Sequence, residues 1–321
     1  MRIALITPAA AHARTGNRNT AARWAAFLRA ATHRVSVEQR WSGKPCELMI
    51  ALHARRSYES ISRYAETHPD RPLVVVLTGT DLYRDIATDP DARRSLQLAT
   101  RLVTLQELGA EALPLEFRHK VRVIYQSARP VARPAPLRSA FEVTVSGHLR
   151  AEKDPFRMAA AAAHLPAESR VRVTHMGGAM SADMEAEARA WMAREPRYRW
   201  VGELPHGRAL RLLARSRLMV ISSRMEGGAN VVSEALAVGV PVIASDVAGN
   251  IGMLGRGYPG YYPLGDERAL ADLVWRAERD STFYAALDQG CRARAHLVTR
   301  EREAGALNDL VCDLTARSLA A

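Results

Sequence analysis

The chain has 321 residues but only three cysteines, three lysines and 6% aromatic residues. Each scarcity removes a class of protein. Cys46, Cys291 and Cys312 form no CxxC pair and are odd in number, so neither a disulfide framework nor a structural zinc site is expected, and a reducing cytoplasm is the expected location. No apolar run reaches the roughly 18 residues of a transmembrane helix, so no integral membrane association is expected. The opening MRIALITPAAAHA has only Ile3 to Ile6 as an apolar core before Pro8, which reads as a first β-strand rather than a signal peptide. Few aromatics and no basic stripe interleaved with them argue against nucleic acid as a partner, despite a pI near 10.1. No cluster of metal-ligating side chains is visible, so a metal-independent protein without a cofactor is expected. Nothing in the pattern sets an oligomeric state.

What is present is basic charge, unevenly placed. Residues 1–139 hold 22 Lys+Arg against 12 Asp+Glu, whereas residues 140–321 hold 23 against 22. Two explanations stay open: a solvated surface in an arginine-rich chain, or affinity for an anionic ligand, a lipid headgroup or nucleic acid.

β-Branched runs alternate with helical patterns throughout. In the first half the strands are read at Arg2–Thr7, His33–Glu38, Glu47–His53, Leu73–Leu77, Arg101–Leu105 and Val121–Tyr125, with Trp24, Phe27, Leu28 and Ala31 on one helical stripe. ARPVARPAPLRS (Ala128–Ser139), with four prolines, reads as a linker. The alternation resumes at Phe141–Gly147, Val171–Gly177, Tyr198–Gly202, Leu218–Ser223 and Val240–Ser245. Such repetition predicts an α/β chain of two doubly wound, Rossmann-like domains facing across a cleft. The expected boundaries are 1–139 for the first domain and 140–300 for the second, with 301–321 a C-terminal helix able to pack back on the first.

Ligands of such domains sit beyond the carboxyl ends of the strands. SSRMEGGANVVSEALAVGVPVIAS (Ser222–Ser245) occupies that place: a turn, then a helix with Asn230 as N-cap and Gly239 as its stop. Gly227 and Gly228 allow close backbone approach, and the amides of Ala229, Asn230 and Val231 favour an anion such as phosphate. Glu226 and Glu234, eight positions apart, are acceptors for paired hydroxyls. Two carboxylates flanking a phosphate site suit a nucleotide-sugar, although a loop carboxylate and a partly exposed helix carboxylate would give the same spacing.

The stretch EGGANVVSEALAVGVPVIAS resembles the Glu-x7-Glu signature of family 4 retaining glycosyltransferases of the GT-B, two-Rossmann type. VSGHLRAEKDP (Val145–Pro155) is similar to the segment in which that family holds the donor diphosphate with a Gly-Arg pair and a lysine. The resemblance implies donor roles for Gly147 and Lys153, with His148 standing where the arginine is expected and Arg150 as its alternative. It also implies that RWVGEL (Arg199–Leu204) brings Gly202 and Glu203 to the nucleotide base. Glu234 would then accept from the ribose, Glu226 from the sugar, and Lys153 with Glu226 would form the catalytic pair.

In the first half the family's strand-end histidine is replaced by Thr78, which cannot act as a general base. Polar groups gather at three other strand mouths: Gly16, Asn17 and Arg18; His53, Arg55 and Arg56; Thr78, Gly79 and Thr80. Each also has a plain explanation as a helix cap or a solvent-facing cation. Together, GNRNTAARWAAFL, MIALHARRS and LTGTDLYRDI resemble the selenosugar synthases of bacterial selenoneine biosynthesis. That resemblance implies transfer of a sugar, N-acetylglucosamine, from a UDP-sugar to selenophosphate, with those three groups forming the acceptor site. An anionic acceptor arrives ionised and needs no base. Three rivals remain: a glycosyltransferase with an ordinary hydroxyl or lipid acceptor, an epimerase or hydrolase using Glu226 and Glu234 as acid and base, and a nucleic-acid-binding protein.

Overall fold

The computed structural model describes residues 1–10 and 16–318, which divide into two compact units: the described residues of 1–126 with those from 300 on, and residues 127–299. The first unit is built on a parallel sheet ordered β2-β1-β3-β4-β5-β6, with β1 at Arg2–Ile6, β2 at Arg34–Glu38, β3 at Leu48–Leu52, β4 at Leu73–Leu77, β5 at Arg101–Thr104 and β6 at Val121–Val123. The central strands β3 and β4 are buried at every position, as a parallel sheet covered on both faces requires. Their side chains alternate between two cores. Met49, Ala51, Val75 and Leu77 pack with Ile61 and Leu96 on one face, while Leu48, Ile50, Val74 and Val76 pack with Trp24 and Leu28 on the other.

That second face is closed by the last helix, Arg300–Ser318, through Leu307, Leu310, Val311 and Leu314. Glu303 on this helix is fully buried, and it accepts from Arg23 at 2.7 and 3.0 Å and from the Trp24 indole at 2.8 Å. An unpaired carboxylate there would be costly; the arginine fork and the indole N–H compensate it.

The second unit repeats the plan with the order β12-β11-β10-β7-β8-β9: β7 Phe141–Ser146, β8 Val171–Met176, β9 Tyr198–Trp200, β10 Leu218–Ile221, β11 Val242–Ser245 and β12 Tyr261–Tyr262. All its pairings are parallel. From β7 the chain winds one way through β8 and β9, then returns to lay β10 on the other side of β7. The direction of winding therefore reverses between β7 and β10, where doubly wound sheets open a crevice. The two-residue β12 is absent from the strands read in the sequence, being too short to show a period.

The proline-rich stretch is held by this second unit. Arg133 within it donates to the carbonyls of Gly239 and Ser216, at 2.5 and 3.2 Å, and to the Tyr284 hydroxyl at 3.3 Å. The division between units falls after Gln126, ahead of the prolines.

Candidate functional site

In the second unit the loops after β7 and β10 meet at the switch point. Gly147 and His148 follow β7 directly, and a single 3-10 turn at Ala151–Lys153 turns the chain back through Asp154, whose φ of +43° is left-handed. Ser222, at the end of β10, donates its hydroxyl to the carbonyls of Lys153 and Asp154, at 3.1 and 2.8 Å, and the Arg224 amide bonds the Glu152 carbonyl. These ties bring together two residues 73 positions apart: Lys153 Nζ donates to Glu226 Oε1 at 2.5 Å. The Ser223 hydroxyl donates to the same oxygen at 2.5 Å. Both bonds fall on Oε1, so Oε2 makes no hydrogen bond among the described residues and is left to accept from a ligand. Glu226 is buried, with its charge balanced by Lys153.

After Glu226 the chain passes through buried Gly227 and Gly228 into the helix Asn230–Val238. Its N-cap is Ala229, not Asn230 as the sequence pattern suggested; Asn230 is already the first helical residue, and no side chain caps this end. The first amides, at Asn230 and Val231, are thus not satisfied by a capping side chain and favour an anion. Gly239 ends the helix at φ +72°. Glu234, on this helix, accepts from His206 Nε2 at 2.8 Å. No sequence motif pointed to His206.

His148 accepts the Gly178 amide at Nδ1, 3.1 Å away. An imidazole that accepts at Nδ1 carries its hydrogen on Nε2. Arg150 is exposed and precedes the 3-10 turn. Gly178 also lies beside Glu203, since a β-carbon there would come within 3.5 Å of both the Glu203 β-carbon and His148 Nδ1. Gly202, at φ +70°, accepts from the Gly177 amide, so the loops after β7, β8 and β9 are bonded side by side. Beneath them His175 is fully buried between the Tyr198 hydroxyl at 2.8 Å and the Gly147 carbonyl at 3.2 Å, and burial pushes its pKa down to about 4.

In the first unit, Gly16, Asn17 and Arg18 begin the helix Gly16–Ala30; they form its first turn and not the loop before it. The residues Ala13–Thr15 of that motif lie outside the described part of the chain. His53 stands at the end of β3 with φ +74°, a strained position for a residue other than glycine. Its Nδ1 accepts from the Arg56 amide at 3.3 Å, which places its hydrogen on Nε2, and Nε2 is 3.1 Å from the Thr80 hydroxyl. Burial holds the His53 pKa below the usual imidazole range, with Asp81 only partly opposing.

Asp81 organises this corner. One oxygen accepts from the amides of Thr78 and Gly79 and, at 3.4 Å, from the Thr78 hydroxyl; the other accepts from the Ala54 amide. Thr78 is therefore tied to Asp81 rather than free for chemistry, and Gly79, at φ +137°, lets the turn close. Arg55 is paired with Asp89 at 2.6 Å, so part of its expected role is taken by a structural ion pair, while Arg56 is exposed. Asp85, buried, keeps Oδ2 unpartnered 4.0 Å from His53 Nε2. The sequence reading assigned no role to Asp85.

Residues 136–294 match the family model described as Glycosyl transferases group 1. A search of curated protein sequences returns no significant match. Among solved structures, HepE from Anabaena, in complex with UDP and glucose, is similar over 99% of this chain and 100% of its own, with a TM-score of 0.76 and 17% identity. Sucrose-phosphate synthase from Thermosynechococcus elongatus matches over 98% of this chain and 99% of its own, at TM-score 0.77 and 16% identity. An Escherichia coli structure described as trehalose-6-phosphate with bound UDP-2-fluoro glucose matches over 98% and 99%, at TM-score 0.74 and 12% identity. At such identities the likeness concerns the fold: two parallel-sheet α/β domains of the GT-B class. Among the described residues no group of three or more metal-ligating side chains could hold an ion, and no helix is long and apolar enough to cross a membrane.

Proposed function

We propose that this chain is a glycosyltransferase that takes a sugar from a UDP-sugar, N-acetylglucosamine being the sugar favoured by the sequence resemblance, and transfers it to selenophosphate without a metal ion. The single observation that carries the donor half is the Lys153–Glu226 pair, set at the switch point beside an uncapped helix start with Glu226 Oε2 open. The solved structures of similar fold that hold UDP, UDP-glucose or a fluorinated analogue support the same choice of donor class.

In this reading Glu226 accepts from the sugar hydroxyls and Glu234 from the ribose. The selenium of the acceptor attacks the anomeric carbon, the bond from that carbon to the diphosphate oxygen breaks, and its electron pair leaves with UDP. Lys153 and the amides from Gly227 to Val231 stabilise the charge that develops on the departing diphosphate. The sequence resemblance places His148 at the same group.

The acceptor half rests on the first unit. His53 is unsuited to abstract a proton, because Nδ1 already accepts a backbone amide and Nε2 carries the hydrogen. Thr78 is held by Asp81. With His53 and Thr78 so committed, the corner suits an acceptor that arrives ionised, held by the cations Arg18 and Arg56 and by the Thr80 hydroxyl. Mass spectrometry of the products from UDP-N-acetylglucosamine and selenophosphate, in buffer containing EDTA, tests the whole reading: a selenium-bearing sugar is expected. Glycosylation of a plain alcohol with no selenosugar would overturn the acceptor; release of no UDP from any UDP-sugar would overturn the donor.

A further inference from the structure

The carboxylate of Glu226 is aimed from a distance. Asn250, in the helix Ala248–Leu254 after β11, is fully buried, and its amide nitrogen lies 3.0 Å from both the carbonyl and the hydroxyl oxygen of Ser245. A carbonyl only accepts, so the atom facing it must be the NH2 group, which fixes the amide's orientation. The Ser245 hydroxyl, accepting from Asn250, turns its own hydrogen to the Ser223 carbonyl at 2.7 Å. Ser223 in turn donates its hydroxyl to Glu226 Oε1. Asn250 and Ser245 thus hold the Ser223 backbone by its carbonyl, and the side chain of the same Ser223 donates to the carboxylate.

Two further observations give the chain a purpose. The Asn250 oxygen is buried with no partner, so the amide carries a desolvation cost that an apolar residue of similar size would avoid. Its neighbour Gly249 has no room for a side chain, because a β-carbon there would lie 1.9 Å from the Glu226 carbonyl oxygen. The same helix therefore touches Glu226 twice, by backbone against backbone and by a relay of hydrogen bonds.

We infer that Asn250, acting through Ser245 and Ser223, is a positioning residue that holds Glu226 Oε1 toward Lys153 and leaves Oε2 directed to the donor sugar. This rests on the donor role proposed for Glu226. Asn250 touches no ligand in this arrangement. Its effect is on the selectivity for a sugar-bearing nucleotide over the bare nucleotide.

Calorimetry of the full chain with UDP-N-acetylglucosamine and with UDP tests it, in Asn250→Ala, Ser245→Ala, Glu226→Gln and the double variants with Glu226→Gln. Asn250→Ala and Ser245→Ala should each weaken the sugar nucleotide about fivefold while UDP changes less than about twofold. Neither should add a comparable loss once Glu226 is Gln, because coupled residues are not additive. Ser245→Ala removes one hydroxyl and keeps the relay testable if Asn250→Ala does not fold. A Glu226→Gln loss of selectivity with unchanged selectivity in both relay variants, or with equal weakening of both ligands, would overturn the relay and leave the donor reading standing. Unchanged selectivity in Glu226→Gln itself would overturn the donor role of Glu226, and the relay with it.

Discussion

Glu226 and Glu234 stand eight positions apart in one segment, yet their surroundings differ. Glu226 is buried against Lys153 and Ser223, whereas Glu234 is partly exposed and leans on an exposed histidine. Glu226→Gln should weaken a UDP-sugar more than UDP, and Glu234→Gln should weaken both, each by about 1.5–3 kcal/mol for a lost charge-assisted hydrogen bond. Titration calorimetry checks this, and equal affinities in variants that melt like the parent would remove both residues from the donor site. If the proposed acceptor holds, Arg18→Ala or Arg56→Ala should raise the KM for selenophosphate with little effect on UDP-sugar affinity. An Arg55→Ala variant should instead change KM less than these two and stability by under about 1 kcal/mol, since its guanidinium is engaged by Asp89 in an exposed pair.

At the scale of elements, three loops after β7, β8 and β9 are bonded edge to edge above His175. A β-carbon on Gly177 would fall 1.9 Å from the Gly147 carbonyl oxygen, so this contact has no slack. The buried His175 makes it sensitive to acid. Its pKa is about 4 in the folded protein against 6.5 for an ordinary histidine, so between those values the unfolded chain binds more protons and acid favours unfolding. The contribution is complete above pH 6.5 and is lost as the pH falls toward 4. Denaturation midpoints should therefore drop between pH 6.5 and 5, above the range where most carboxylates titrate, and His175→Gln should reduce that drop if it folds, leaving the part due to buried His53. A parent protein with pH-independent stability across this interval would contradict the burial argument.

The strands were legible in the sequence because a parallel sheet buried on both faces writes continuous runs such as LMIAL and LVVVL. The turn at Glu226 was legible because paired glycines before a helix have few other uses. The cap at Ala229 was not, since Asn230 is a better capping residue by type and only the backbone angles show that the helix starts one residue earlier. Nor was the relay from Asn250, which joins residues 24 positions from Glu226 through one carbonyl and two hydroxyls; such bonds depend on the register of β10 beside β11, not on spacing. The role of Asp81 was half visible: an aspartate after Thr-Gly-Thr reads as a cap, and here it bonds the amides of its own turn and of a neighbouring loop.

For the molecule as a whole, the last helix completes the core of the first unit. Glu303 satisfies an arginine and an indole that belong to residues 23 and 24. Glu303→Ala should leave both unpaired and cost the first unit about 3–5 kcal/mol, the range for breaking a buried ion pair. Denaturant unfolding followed by the fluorescence of Trp24 and Trp41 should show that transition moving early, while the transition of the second unit stays in place. A single unshifted transition would mean that Glu303 is dispensable.

The order of synthesis gives this arrangement a further meaning. Residues 127–299 are contiguous and can close their core as soon as they leave the ribosome, whereas residues 1–126 must wait for a helix made some 170 residues later. Through that interval the face formed by Trp24, Leu28, Ile50 and Val76 lacks the part of its cover that Leu307, Leu310, Val311 and Leu314 supply. The half of the chain translated first is thus the half that matures last, and a nascent chain stalled before residue 300 should be the species that chaperones hold and proteases cut. Supplying residues 300–321 in trans to a fragment of residues 1–126 would show how much of that delay the helix alone removes.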